Sequence, residues 1–116
     1  MFLTFCKAKI SNARVTAAEL YYEGSITIDE DIIQAVGILP GEKVEIFNVN
    51  NGARLETYVI AGKAGSGHVC LNGPAARMGY VGDKLIIVSY ALITPDEAKT
   101  MKIRTAHLTD DNKIKA

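Results

Sequence analysis

Apolar and polar positions alternate with a period of two along most of this chain, and glycine, proline and asparagine interrupt the alternation at short intervals. Residues 2–10 alternate loosely and close on Lys7-Ala8-Lys9-Ile10, which predicts a strand with both lysines on one face. Residues 14–17 read as a second extended piece, and residues 21–28, rich in aromatic and β-branched side chains, as a third. At Asp29-Glu30-Asp31 the period changes. Asp29 can cap a helix, the acids suit its positive end, Ile32, Ile33 and Val36 form one apolar face, and Gly37 stops it. After the Pro40-Gly41 turn, residues 43–49 alternate again with Val44, Ile46 and Asn48 on one face. Asn50-Asn51-Gly52 predicts a type I′ hairpin, whose two central residues need positive φ. Residues 54–60 return with Arg54, Glu56, Tyr58 and Ile60 on one face, and Thr57 on the other unless a bulge intervenes.

The second half continues in short pieces. Residues 62–67 are a glycine-rich loop and residues 68–71 a short strand. Pro74 suits the first turn of a one- or two-turn helix, where the N–H groups of Ala75 and Ala76 lack intrahelical partners and can face an anion. Residues 84–92 are the most apolar run and predict a central strand, and Thr94 caps a last short helix through Pro95-Asp96-Glu97. Many short strands with three short helices between them predict a mainly β fold, a small barrel plugged by helices.

Composition narrows what such a barrel can be. A chain of 116 residues forms one domain, residues 1–116, and buries roughly two thirds of its unfolded surface. With 48% hydrophobic and 22% charged residues, disorder is expected only at the polar end, residues 109–116. Thirteen basic and thirteen acidic residues cancel, which argues against nucleic acid as a partner. Residues 85–93, the longest apolar run, fall far short of the about 20 needed to span a membrane, and residues 1–5 lack the features of a signal peptide. No membrane partner is expected, and the cytoplasm follows. Cys6 and Cys70 lack a C-x-x-C spacing and read as reduced core thiols. His68 and His107 lie far apart without carboxylates at ligand spacing, so no metal site is expected.

Candidate chemistry centres on Gly24-Ser25, which the residue types leave open as a plain turn or as a peptide bond that breaks itself. Arg54 and Lys9 fit exposed strand charges as well as carboxylate ligands, and Tyr58 fits a packed ring as well as an acid. The set Tyr22-x-Gly24-Ser25, Asn51-Gly52-x-Arg54-x-x-Thr57-Tyr58 and Asn72-Gly73-x-Ala75-Ala76, in this order and spacing, resembles the pyruvoyl-dependent L-aspartate α-decarboxylases over nearly the whole chain. That resemblance implies a double-psi β-barrel, a homotetramer, and cleavage into a β-chain, residues 1–24, and an α-chain, residues 25–116. It implies an enzyme that converts L-aspartate to β-alanine and carbon dioxide for pantothenate and coenzyme A synthesis. Under it, Gly24, Ser25 and Thr57 take part in processing, either spontaneous or assisted by a maturation factor. Ser25 becomes a covalent pyruvoyl group that forms a Schiff base with substrate, and Tyr58 is the proton donor. Arg54, Thr57, Lys9, Asn72, Gly73, Pro74, Ala75 and Ala76 bind substrate, with Lys9 coming across a subunit interface.

The chemistry explains why such residues are wanted. Loss of the α-carboxylate leaves a carbanion, and no ordinary side chain is an electron sink for it, whereas a covalent ketone is. Making that ketone starts with Ser25 Oγ attacking the Gly24 carbonyl to give an ester. Backbone strain supplies about 1–3 kcal/mol toward this shift and a hydroxyl stabilising the oxyanion about 2.7–4 kcal/mol. Three positions depart from the family pattern: Ser11 in place of histidine, Phe47 in place of tryptophan, and Pro74, which removes one backbone donor. The rival reading is a small barrel used as a binding or assembly module, which would keep its full chain mass.

Overall fold

In the computed structural model, which describes residues 1–115, the elements are β1 (Leu3–Arg14), β2 (Ala17–Glu19), β3 (Ser25–Asp29), α1 (Glu30–Val36), β4 (Lys43–Asn48), β5 (Arg54–Gly62), β6 (Val69–Asn72), a 3₁₀ helix (Gly73–Met78), β7 (Lys84–Ile93), α2 (Pro95–Ala98) and β8 (Arg104–His107). The fold is mainly β with short helices, as the period-two pattern predicts. Its eight strands hydrogen-bond in the order β2-β6-β3-β5-β4-β7-β1-β8. β7, the most apolar run, lies between β4 and β1 and pairs antiparallel with both. Ile10, Ile26, Ile28, Ile46, Leu71 and Ile87 are fully buried along the inner face. Each such side chain contributes about 1.5–3 kcal/mol of burial free energy.

One crossing in this topology positions the site. β2 pairs parallel with β6 and β3 pairs antiparallel with it, and both Glu19 and Ser25 are in register with Asn72. Residues 20–24 must therefore pass over the end of β6, where Gly73 follows Asn72. This ψ-shaped crossing explains why the strand predicted over residues 21–28 begins only at Ser25. Residues 20–23 bend instead, Tyr21 and Tyr22 are exposed, and Gly24 turns the chain at a φ of 110°.

Helix α1 forms as predicted, with the Asp29 side chain accepting from Asp31 N–H and Gly37 closing it in the left-handed conformation at φ 74°. The helix after Asn72 is a 3₁₀ helix with Pro74 in its first turn, and Thr94 caps α2 through a reciprocal bond pair with Glu97. The hairpin between β4 and β5 differs from expectation. Gly52 alone takes positive φ, because the Asn48 side chain accepts from Asn50 N–H and the Asn51 side chain accepts from Ala53 N–H, which holds a wider loop than a type I′ turn. The first strand is longer than predicted, reaching Arg14 through two register shifts that absorb extra residues.

The polar end is ordered as far as it is described, contrary to its composition. Asn112 is 1% exposed, accepts from Arg14 N–H at 2.8 Å, and donates to the carbonyls of Arg14 and Gly67 at 2.8 Å each. A side chain that satisfies two loops at once outweighs the low hydrophobicity of its neighbours. Ala116 lies outside the described residues. Cys6 and Cys70 are free, Cys70 buried and Cys6 half-buried.

Candidate active site

Ser25 opens β3 with no exposure and a φ of 157°, positive for a residue that is not glycine. Gly24 before it is also at positive φ, so two consecutive residues occupy backbone conformations that L side chains rarely adopt. Asn72 sits opposite Ser25 in the antiparallel β3/β6 register, and its Nδ2 donates to Ser25 Oγ at 2.9 Å and to Thr27 Oγ1 at 2.9 Å. Cys70 Sγ lies 3.1 Å from Asn72 Oδ1. Burial, with a smaller contribution from the charge of Glu19, pushes this thiol up, so it stays protonated at neutral pH.

Beside the Gly24-Ser25 bond is a cavity of about 570 Å³, within the size range of small-molecule sites. Gly24, Thr57, Tyr58, Asn72, Pro74 and Ala75 line it, together with Glu23, Leu55, Glu56 and Met78. Gly24, Thr57, Tyr58 and Asn72 are thus brought to one space from three separate strands or their ends. β4 and β5 pair without a bulge through Thr57 and Tyr58, so these two side chains leave opposite faces of β5, and the cavity touches both. Tyr58 is 44% exposed and its hydroxyl has no hydrogen-bond partner among the described residues. A second cleft, about 330 Å³ around Lys43, Glu45 and Tyr90, lies away from Gly24. Its phenol is committed: Tyr90 donates to Glu45 at 2.7 Å, and that bond pushes its pKa up to about 12.

Other predicted site residues lie elsewhere in the single chain. Ser25 and Gly73 are buried behind the wall, and Ala76 is not among the lining residues. Gly73 packs so closely that a Cβ on it would sit 2.5 Å from Tyr22 O and 2.7 Å from Gly24 N. Arg54 lies on the same face of β5 as Tyr58, but its guanidinium rests 4.0 Å from the centre of the Phe47 ring. Phe47 is therefore a platform for Arg54 and does not line the cavity. Lys9 is exposed on β1, with β4 and β7 between it and β5, and makes no ion pair among the described residues. The lining as a whole carries two carboxylates, Glu23 and Glu56, and no cation. Lys43 offsets Glu56 at 3.0 Å, in an exposed pair of little energetic weight.

Thr27 and Cys70 escaped the reading of the sequence. Their places in alternating strands are legible, but the β3/β6 register that puts them around Asn72 is not.

A family model described as aspartate decarboxylase matches residues 1–115. A protein of Bacillus licheniformis named aspartate 1-decarboxylase is 58% identical over 98% of this chain and 90% of its own length. One of the same name from Salinibacter ruber is 54% identical over 98% of this chain and 78% of its own length. Among solved structures, the rationally designed mkDPBB_sym_86 protein aligns at a TM-score of 0.49 and 21% identity, over 70% of this chain and 94% of that one.

Proposed function

The chain belongs to the aspartate decarboxylase family, and from that premise we propose that it removes the α-carboxylate of L-aspartate to give β-alanine after cutting itself at Gly24-Ser25. The observation that carries the reading is the junction itself: two successive residues at positive φ, a buried Ser25 Oγ held by Asn72, and a cavity against Gly24 that also receives Thr57 and Tyr58.

Cleavage follows from groups the chain owns. Ser25 Oγ attacks the Gly24 carbonyl carbon, the C–N bond breaks, and an ester forms with the Ser25 amine freed. Loss of the Ser25 Cα proton with departure of the Gly24 carboxylate then leaves dehydroalanine. One water enters and ammonia leaves, giving a pyruvoyl group on the chain of residues 25–116 and a free chain of residues 1–24. Gly24 accepts the twisted geometry at low cost, and Thr57, which lines the same cavity as Gly24, is the hydroxyl assigned to support the oxyanion on the Gly24 carbonyl. The residues present fit this group, because its precursor Ser25 is fixed by Asn72 and adjoins Gly24, which lines a cavity of adequate size. The ketone supplies the electron sink that decarboxylation requires.

The remaining side chains bind and hold a proton. Tyr58 has a free phenol against the cavity and delivers the proton to Cα. Arg54 takes the side-chain carboxylate in its two-pronged fork once it leaves Phe47, and Asn72, Pro74 and Ala75 on the cavity wall orient the substrate, with Gly73 and Ala76 supporting that wall from outside the lining. A substrate with two carboxylates is poorly matched to a lining whose only charged groups are carboxylates, which supports a homotetramer in which Lys9 of a neighbouring copy completes the site. The family membership likewise supports a double-psi barrel as the architecture and β-alanine supply to pantothenate as the role. The free thiols Cys6 and Cys70 suit a cytoplasmic setting.

Intact-mass measurement of the purified chain tests the proposal. Two fragments, the larger blocked at its amino end, are expected, and none from Ser25→Ala. Cleavage by the purified chain alone dispenses with a maturation factor. A chain that keeps full mass, with or without added cell extract, fits the binding-module reading and sinks this one.

A further inference from the structure

We propose that Cys70 is a positioning residue for the self-cleavage described above: its thiol turns the Asn72 amide so that the NH₂ faces Ser25 Oγ, and this orientation sets the cleavage rate. The inference rests on the self-cleavage reading and adds a residue to it. Ser25 and Thr27 on β3 lie opposite Asn72 and Cys70 on β6, so two alternating pairs share one face of the two strands. Asn72 is 3% exposed, and every polar atom of its side chain must find a partner inside this face. Its two N–H donors are spent on Ser25 Oγ and Thr27 Oγ1, both at 2.9 Å. Its oxygen is left with one donor among the described residues, the Cys70 thiol at 3.1 Å. The other acceptor near that thiol, Leu71 O, is farther, at 3.9 Å.

An amide has two orientations, and here they are chemically different. With the oxygen toward Cys70, Asn72 donates to Ser25 Oγ, which fixes the position of the oxygen and leaves its own O–H free to release the proton as Oγ bonds to the Gly24 carbonyl carbon. With the amide turned over, its oxygen faces two hydroxyls and ties up the Ser25 O–H in a hydrogen bond to a group too weakly basic to remove the proton, so the proton is held back and Oγ is drawn off its line to the Gly24 carbonyl. A thiol is a donor to the first arrangement, and a methyl group in its place removes the preference. The thiol keeps its proton throughout and no bond to sulfur forms.

The experiment follows cleavage by intact mass in Cys70→Val and Cys70→Ser. Loss of one neutral hydrogen bond to a group that must be oriented predicts cleavage about tenfold slower in Cys70→Val. Cys70→Ser keeps a donor and stays within about threefold of the parent. Should Cys70→Val not fold, Cys70→Ala is read against Cys70→Ser in the same way. In parallel, the Asn72 side-chain amide resonances are recorded in the uncleavable Ser25→Ala chain, where Cys70→Val shifts them and Cys70→Ser leaves them in place. Equal rates in Val and parent, or a Ser variant as slow as Val, overturn the inference while leaving self-cleavage intact. A parent chain that never cleaves removes both.

Discussion

Tyr58 and Asp29 show two uses of an unusually placed side chain. The phenol of Tyr58 meets the cavity without a partner among the described residues, so Tyr58→Phe removes a proton and little packing. Cleavage at Gly24-Ser25 should proceed normally in this variant, while kcat falls by about 10²–10⁴ with KM little changed. Steady-state kinetics on fully cleaved protein decide it, and a near-normal kcat would reduce Tyr58 to a wall of the cavity. Asp29 is 2% exposed and accepts from the N–H groups of Asp31, Gly65 and Gly67. Burial pushes its carboxyl up, but the three backbone bonds and the charge of Lys113 together hold it below the usual carboxylate value. A carboxyl depressed in the folded state contributes stability above its unfolded pKa, near 4, and loses it as pH falls through the lower folded value. Asp29→Asn should therefore be less stable than the parent by about 1–3 kcal/mol at pH 7, and in urea unfolding the gap should narrow as pH falls below about 4. A gap that stays constant with pH would mean that the charge of Asp29 contributes nothing.

At the scale of elements, the crossing of residues 20–24 over the end of β6 depends on the glycine that opens the 3₁₀ helix. Gly73 sits at φ 67°, and an added Cβ would approach Tyr22 O, Gly24 N and Gly24 Cα at 2.5, 2.7 and 2.8 Å. All three are backbone atoms of the segment that holds the scissile bond, so the clash cannot be relieved by a side chain turning away. Gly73→Ala is expected to destabilise the uncleaved chain by about 1–3 kcal/mol. It should also slow cleavage, because Gly24 has to move away from Ser25 Oγ. Thermal unfolding in the Ser25→Ala background, with an intact-mass time course in the parent background, measures the two effects separately. A Gly73→Ala chain that cleaves at the parent rate would show that the crossing tolerates displacement.

The whole molecule leaves large apolar side chains outside, among them Phe2, Tyr21, Tyr80, Val81 and Leu92, while Lys9 stands remote from the cavity. Both features fit a surface that other copies cover. If Lys9 acts on the cavity of a neighbour, Lys9→Ala and Ser25→Ala chains should each be impaired alone and recover activity when co-expressed. In the mixed assembly, an intact Ser25 on one copy can meet an intact Lys9 on the next. Decarboxylation assays on the co-purified assembly test this, and no recovery would return Lys9 to a solvated strand charge.

Strands β1 and β4 to β7, the caps of α1 and α2 and the central place of β7 were legible because they depend on neighbours in sequence, namely alternation, a capping side chain and a glycine at a helix end, whereas β8 was not foreseen. The motif around Gly24-Ser25 was legible only through its resemblance to a family, because its residue types alone favour a plain turn. What only the tertiary structure decided depends on partners distant along the chain. The wide loop at Asn50-Asn51-Gly52 is held from outside by Asn50, which accepts from Lys84 N–H, and by Asn51, which donates to the Met78 carbonyl, and the ordered polar end by Asn112 bridging Arg14 and Gly67. The placing of Cys70 and Thr27 around Asn72 follows from a strand register that pairs Ser25 with Asn72 and Thr27 with Cys70, residues far apart in the chain, and so leaves no local trace in either strand.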